Sequence, residues 1–114
     1  MAFYTCYYFE TEGGKSPVKE FIDSLDPVSQ RKFFVKRGWL EEYGHRLQMP
    51  HAKHLKDGIY ELRFEGREGT IRILYFFFEG NKIIFTNGFK KKTKKTPHGE
   101  LNLAFERRRL YIGS

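Results

Sequence analysis

The sequence predicts an α+β domain: a small antiparallel sheet packed on an N-terminal helical hairpin, in the order β-α-α-β-β-β-α. Three observations carry this prediction. Two proline-started segments with helical spacing sit near the N-terminus, three strand-like runs separated by tight turns occupy the second half, and one further helical segment closes the chain. With 114 residues, 39% of them hydrophobic and 18% aromatic, the chain has the apolar side chains for one core, so a single domain over residues 1–114 is expected.

The run from Tyr4 to Glu10 is rich in aromatics and reads as a first strand, ended by the turn Thr11-Glu12-Gly13-Gly14. Ser16-Pro17 is a cap-plus-proline helix start, and Val18, Phe21, Ile22 and Leu25 follow at i, i+3, i+4 and i+7. Asp26-Pro27 repeats the signal for a second helix running to about Tyr43. Val28, Val35 and Trp39 form its inner stripe, Phe33, Phe34 and Leu40 widen it, and Gly44 is placed to end it. His45 to Gly58 shows neither period and reads as a long connection. Period two then sets in: Tyr60, Leu62 and Phe64 alternate with Glu61, Arg63 and Glu65, Gly66-Arg67-Glu68-Gly69 turns the chain, and Thr70 to Phe78 returns. Glu79-Gly80-Asn81 makes the next turn into a strand from Lys82 to Phe89. Thr96-Pro97 starts the last helix, with Leu101, Ala104, Phe105 and Tyr111 inward and Arg107, Arg108 and Arg109 near its C-terminus, where the helix dipole favours cations.

The first hairpin fixes a register. Pairing Glu65 with Thr70 sets Phe64 opposite Ile71, Leu62 opposite Ile73 and Tyr60 opposite Tyr75, three apolar pairs on one face, and a one-residue slip would scatter them over both faces. The same register sets Arg63 directly opposite Arg72 on the other face. Like charges facing each other across strands cost up to ~1 kcal/mol, and either an anion gripped by two guanidinium forks or neutralisation by Glu61 and Glu65 would offset that cost.

The formal net charge of +7 is unevenly placed: residues 1–57 hold nine Lys/Arg against eight Asp/Glu, residues 58–114 hold twelve against six. Such a concentration favours a polyanionic partner. Lys90, Lys91, Lys92, Lys94 and Lys95 leave the strand that neighbours Arg72, and like-charge crowding lowers a lysine's pKa toward the range of a general base. The single thiol, Cys6, excludes an internal disulfide and a cysteine-based zinc site and fits a reducing compartment, so the cytoplasm is predicted. His45, His51 and His54 lie in an irregular segment and read as surface or capping residues, so no metal is predicted; His54 and His98 are minor acid/base candidates. The N-terminus lacks a basic n-region, and the longest apolar run, Ile73–Phe78, is far short of ~20 residues, so neither secretion nor membrane insertion is predicted.

Three phrases in order, L-K-D-G-I-Y-E-L-R (Leu55 to Arg63), R-I-L-Y (Arg72 to Tyr75) and G-F-K-K-K-T-K-K-T-P (Gly88 to Pro97), with the S-P-V-K-E-F region upstream, resemble HigB-type, phage-related toxins of the RelE/ParE superfamily. The resemblance covers most of the chain. It implies a RelE-like antiparallel sheet with helices on one face and a basic concave face for RNA. It also implies the toxin of a type II toxin–antitoxin pair: an mRNA interferase that cuts message in the ribosomal A site and is silenced by a cognate antitoxin, expected to be a helix-turn-helix protein. By the same resemblance Arg72 would stabilise charge on the scissile phosphate, Arg63 would hold the phosphate or activate the 2′-hydroxyl, and Lys90 and Lys91 would contact phosphate or leaving group. Glu61 stands where some relatives have a basic residue and is a base, a partner of Arg63, or neither. Lys92, Lys94, Lys95, Arg67 and Lys56 are the further RNA-binding candidates. No cofactor and no small-molecule ligand are expected, since RNA carries its own nucleophile. Two other readings stand beside this one: a ParE-like inhibitor of DNA gyrase, and a toxin-shaped binding module without activity.

Overall fold

A computed structural model describes residues 2–113. The chain order is β1 (Thr5–Tyr8), α1 (Pro17–Asp23), α2 (Pro27–Tyr43), a 3-10 turn (Gly44–Arg46), β2 (Ala52–Lys56), β3 (Ile59–Gly66), β4 (Gly69–Phe78), β5 (Lys82–Lys91) and α3 (His98–Gly113). One five-stranded sheet has the spatial order β1-β5-β4-β3-β2. The α+β class and the meander β3-β4-β5 stand as predicted, and so does the hairpin register, with Tyr60, Leu62, Arg63 and Phe64 opposite Tyr75, Ile73, Arg72 and Ile71.

Three expectations need correction. The sheet is mixed, because β1 runs parallel to β5. The predicted order lacks a strand, because part of the 45–58 segment forms β2 along the outer edge of β3. Helices cover both faces: α1 and α2 pack on the face that carries Leu62, Phe64, Ile71, Ile73 and Phe85, whereas α3 packs through Ala104, Leu101 and Phe105 on Ile59, Leu74, Phe76, Ile84 and Phe89. Phe89, at the end of the predicted last strand, is therefore core.

The strand β2 escaped the pattern because it is an edge strand with only Ala52 buried, so it has no apolar alternation to read. Its signal was the Asp57-Gly58 dipeptide, which forms a two-residue turn with φ of 48° and 84°, the left-handed pair such a hairpin requires. The stripe of α2 also differs. Phe33 and Leu40 are buried, but Phe34, Val35 and Trp39 face outward. The helix instead turns polar side chains onto the edge of β1: Arg37 Nη2 donates to Cys6 O at 2.9 Å, and Glu41 Oε2 accepts from Cys6 N at 2.8 Å. These bonds satisfy an edge that would otherwise be open to pairing with another chain.

Two close approaches lock the helices down. A Cβ on Gly88 of β5 would lie 2.6 Å from the Phe21 ring and 2.7 Å from Ile73 Cδ1, so α1 rests directly on that backbone. On the other face Asn87 Nδ2 donates to Glu100 O and Oε1 at 3.1 and 2.9 Å, and Arg107 Nη1 donates to Thr86 O at 2.8 Å. Fixed in this way, α3 packs on the apolar half of its sheet face, and the polar half lies beside its entry.

Candidate nucleic-acid interface

The polar half is a short ladder of charged residues set by the strand register. On β3 the residues Glu61, Arg63 and Glu65 alternate out of the apolar face, and on β4 Thr70 and Arg72 stand opposite Glu65 and Arg63. Lys91 of β5 lies opposite Thr70 and therefore joins this face. Lys53 of β2 lies opposite Glu61 and joins it from the other side. Four cations thus surround one carboxylate at the start of a groove lined by Arg63, Thr70, Arg72, Lys91, Lys92 and Lys94.

Glu61 is the centre of the arrangement. It is 1% exposed, and its Oε1 lies 2.6 Å from Arg72 Nε and 3.8 Å from Lys91 Nζ. Thr96 Oγ1 donates to its Oε2 at 3.3 Å, tying the entry of α3 to the site. Of the roles open in sequence, the geometry gives Glu61 that of a counter-ion, and its partner is Arg72 rather than Arg63. The contact to Arg72 is close but poorly directed, and neither Oε1 nor Arg72 Nε has a well-aligned hydrogen-bond partner among the described residues. Arg63 Nε is likewise buried without an acceptor. Buried polar groups left in this state cost ~1–3 kcal/mol each. Arg72 Nη1 donates to Ile71 O at 3.1 Å and Arg63 Nη1 lies 2.6 Å from Met49 Sδ, so Nη2 of each arginine is the donor left for an anion in the groove.

Burial and crowding shift the cations. Arg72 is held below the usual guanidinium range, first by desolvation and then by Arg63, with Glu61 opposing. Lys91, its side chain only 8% exposed, is pushed down by burial and by the charges of Arg72, Arg63 and Lys53, again with Glu61 opposing. Desolvation disfavours an ammonium and like charges add to it. Lys91 is thereby moved toward the neutral amine that can accept a proton.

The other sequence candidates are divided. Strand alternation sends Lys90 to the opposite face, where Nζ pairs with Glu68 Oε2 at 2.6 Å. Lys92 and Lys94 line the groove, and Lys95 lines its continuation beside Glu61 and Thr96. Arg67 occupies the tip of the β3–β4 turn, its backbone N–H bonded to Ser29 Oγ at 3.1 Å, and Lys56 stands at the β2–β3 turn; neither is among the groove-lining residues. The histidines are dispersed. His45 stacks on Phe77, His51 contacts Lys36, and His54 Nε2 accepts from Gly58 N. Among the described residues no group of His, Cys, Asp or Glu assembles as a metal site, and no helix is long and apolar enough to cross a membrane.

Lys53 was missed in sequence for a definable reason. A regular hairpin closed at Lys56–Ile59 would put Lys53 opposite Leu62, on the helical-hairpin face. An irregularity between His54 and Lys56 shifts the register by one and brings it opposite Glu61.

No curated protein matches the chain. The phage-derived Gp49-like protein family (DUF891), part of the toxin–antitoxin-associated RelE/ParE-like group, matches residues 20–109, a span from α1 through most of α3 that includes every residue of the charged ladder. The chain belongs to this family of phage-derived Gp49-like proteins.

Proposed function

We infer that the protein is the toxin of a toxin–antitoxin pair and acts as a HigB-like, ribosome-dependent endoribonuclease on mRNA. The supporting observation is the facing pair Arg63 and Arg72 with Lys91 beside them, all three drawn onto one sheet face around a buried carboxylate. RNA needs little more than this. Neutral Lys91 takes the proton of a 2′-hydroxyl; the 2′-oxygen bonds to the adjacent phosphorus as the bond to the 5′-oxygen breaks. Arg72 and Arg63 stabilise the charge that develops on the phosphorane oxygens, a role suited to guanidinium forks held in advance. The leaving 5′-oxygen takes its proton from a neighbouring ammonium, of which Lys94 lines both parts of the groove. The products are a 2′,3′-cyclic phosphate and a 5′-hydroxyl.

The test adds purified protein to programmed ribosomes and maps both the position and the chemistry of the message ends. Wild type should cut within the A site and leave cyclic phosphate ends, and the Arg72→Lys variant, which keeps a cation beside Glu61 but loses the Nη2 donor left for the phosphate, should lose at least ~100-fold in rate. Intact message together with poisoned DNA gyrase would replace this reading with the gyrase-inhibitor one. Intact message with gyrase unaffected would leave a binding module.

A further inference from the structure

The pairing of β2 with β3 stops at Ala52–Leu62, and the strand β3 runs on for four residues with α2 alongside. Even-numbered residues of β3 bond to β4, so Arg63 and Glu65 turn their backbone groups toward the vacated edge. The Arg63 N–H is used by His51 O at 2.8 Å, and the Glu65 carbonyl accepts from Lys32 Nζ at 2.9 Å. The Arg63 carbonyl gets no return bond, because the His51 N–H is committed to Gln48 O at 2.9 Å. Edge-strand geometry therefore leaves one acceptor, Arg63 O, and one donor, Glu65 N–H, side by side along the strand.

These two groups border a cleft of about 280 Å³, near the small end of ligand clefts. Met49, Pro50, His51, Lys36 and Phe64 line it together with Arg63 and Arg72, which also line the phosphate groove, and Arg63 Nη1 lies 2.6 Å from Met49 Sδ. His51 is held in place: its Nδ1 lies 2.6 Å from Lys36 Nζ, and its ring meets the Trp39 ring edge-on at 4.9 Å. Burial and the Lys36 charge both press His51 below its ordinary value, which favours the neutral, stacking-competent imidazole. A thioether, a proline ring and an imidazole lining one cleft with a strand edge that offers one donor and one acceptor match a planar heterocycle that carries both.

We propose that this cleft is a nucleobase subsite, holding the base attached to the phosphate that Arg63 and Arg72 grip, with His51 and Met49 stacking on the ring and the β3 edge reading its polar rim. The inference rests on the ribonuclease reading for the identity of the polymer, but its test reads binding. Aromatic and cation surfaces that stack on unpaired bases contribute ~1–3 kcal/mol per base, which corresponds to roughly 5- to 150-fold in affinity.

The experiment titrates the full chain with adenosine 3′-monophosphate, uridine 3′-monophosphate and ribose 5-phosphate, by calorimetry and by emission of Trp39, the one tryptophan of the sequence. The two nucleotides should bind at least ~5-fold more tightly than the sugar phosphate and change Trp39 emission, which the sugar phosphate should leave alone. His51→Ala and, separately, Met49→Ala should each remove most of that advantage, His51→Ala without altering the affinity for ribose 5-phosphate, whereas Met49→Ala also frees the Arg63 Nη1 that now lies 2.6 Å from Met49 Sδ. Equal affinities for nucleotide and sugar phosphate, or an advantage that survives both substitutions, would overturn the subsite. Base-dependent binding by a protein that never cuts message would uphold the subsite and refute the ribonuclease reading; cleavage of message by a protein without base-dependent binding would do the reverse.

Discussion

Replacing Glu61 by Gln removes one charge and almost no volume from the middle of the ladder. The carboxylate is 1% exposed and serves two cations that are themselves nearly inaccessible, Arg72 at 2.6 Å and Lys91 at 3.8 Å, with side chains 7% and 8% exposed. Removing one partner of a buried ion pair costs ~3–5 kcal/mol, because the remaining charge keeps its desolvation penalty and loses its compensation. Thr96 and Arg72 use different oxygens of the carboxylate, so the single amide oxygen of Gln can keep one of the two contacts, which places the loss at the lower end, about 3 kcal/mol. At roughly 4 °C per kcal/mol for a chain of this size, the melting temperature should fall by about 12 °C. Glu65→Gln is the control: it removes an exposed carboxylate from the same face that is bonded only to Thr70 Oγ1, at 3.1 and 3.2 Å, and should cost no more than ~0.5 kcal/mol. Urea unfolding followed by far-UV circular dichroism decides between them. Equal midpoints for the two variants would show that the buried carboxylate does not hold the cations together. The sign of a second effect is also fixed. Glu61 raises the pKa of Lys91 against the other charges, so its removal should move any Lys91-dependent limb of the activity profile to lower pH.

Other expectations follow from single contacts. Activity should rise with pH as Lys91 loses its proton, with a midpoint below that of an ordinary lysine, and Lys91→Arg, which cannot deprotonate, should abolish the rising limb; a persisting limb would assign the base elsewhere. At a pH below the Lys91 limb, where the ammonium is still charged, Lys91→Ala should reduce the log–log salt slope of RNA binding by about 0.7, whereas Lys90→Ala should leave it unchanged because that side chain faces away and pairs with Glu68; equal slopes would contradict the alternation. Gly88→Ala should destabilise by ~1–3 kcal/mol at unchanged m-value, since the new methyl meets the Phe21 ring and Ile73; a stability equal to wild type would mean that α1 can move aside. Cys6, 2% exposed and with its thiol pushed up to about 12 by burial and Glu41, should resist thiol reagents until the protein unfolds, which titration with a chromogenic disulfide reads directly.

What could be read in advance was what hydrophobic periodicity enforces. The β3–β4 register was legible because three apolar pairs stand or fall together, and Arg63 opposite Arg72 came with it at no further assumption. The lysine run carried no such constraint. Where β5 ends decides which lysine faces the groove, and nothing in a string of identical charges marks that point; the strand continues through Lys91, so pleat alternation alone sends Lys90 outward and Lys91 onto Glu61. The α2 stripe failed for the opposite reason. Its inward face is shared between apolar contacts at Phe33 and Leu40 and the hydrogen bonds that Arg37 donates to and Glu41 accepts from the β1 edge, so a hydrophobicity count rotates the helix toward Val35 and Trp39. That rotation matters functionally. With Phe34 and Trp39 turned away from the core, α2 brings Trp39 and Lys36 against His51 beside the open end of β3, where Lys36 and His51 line the cleft next to the paired arginines.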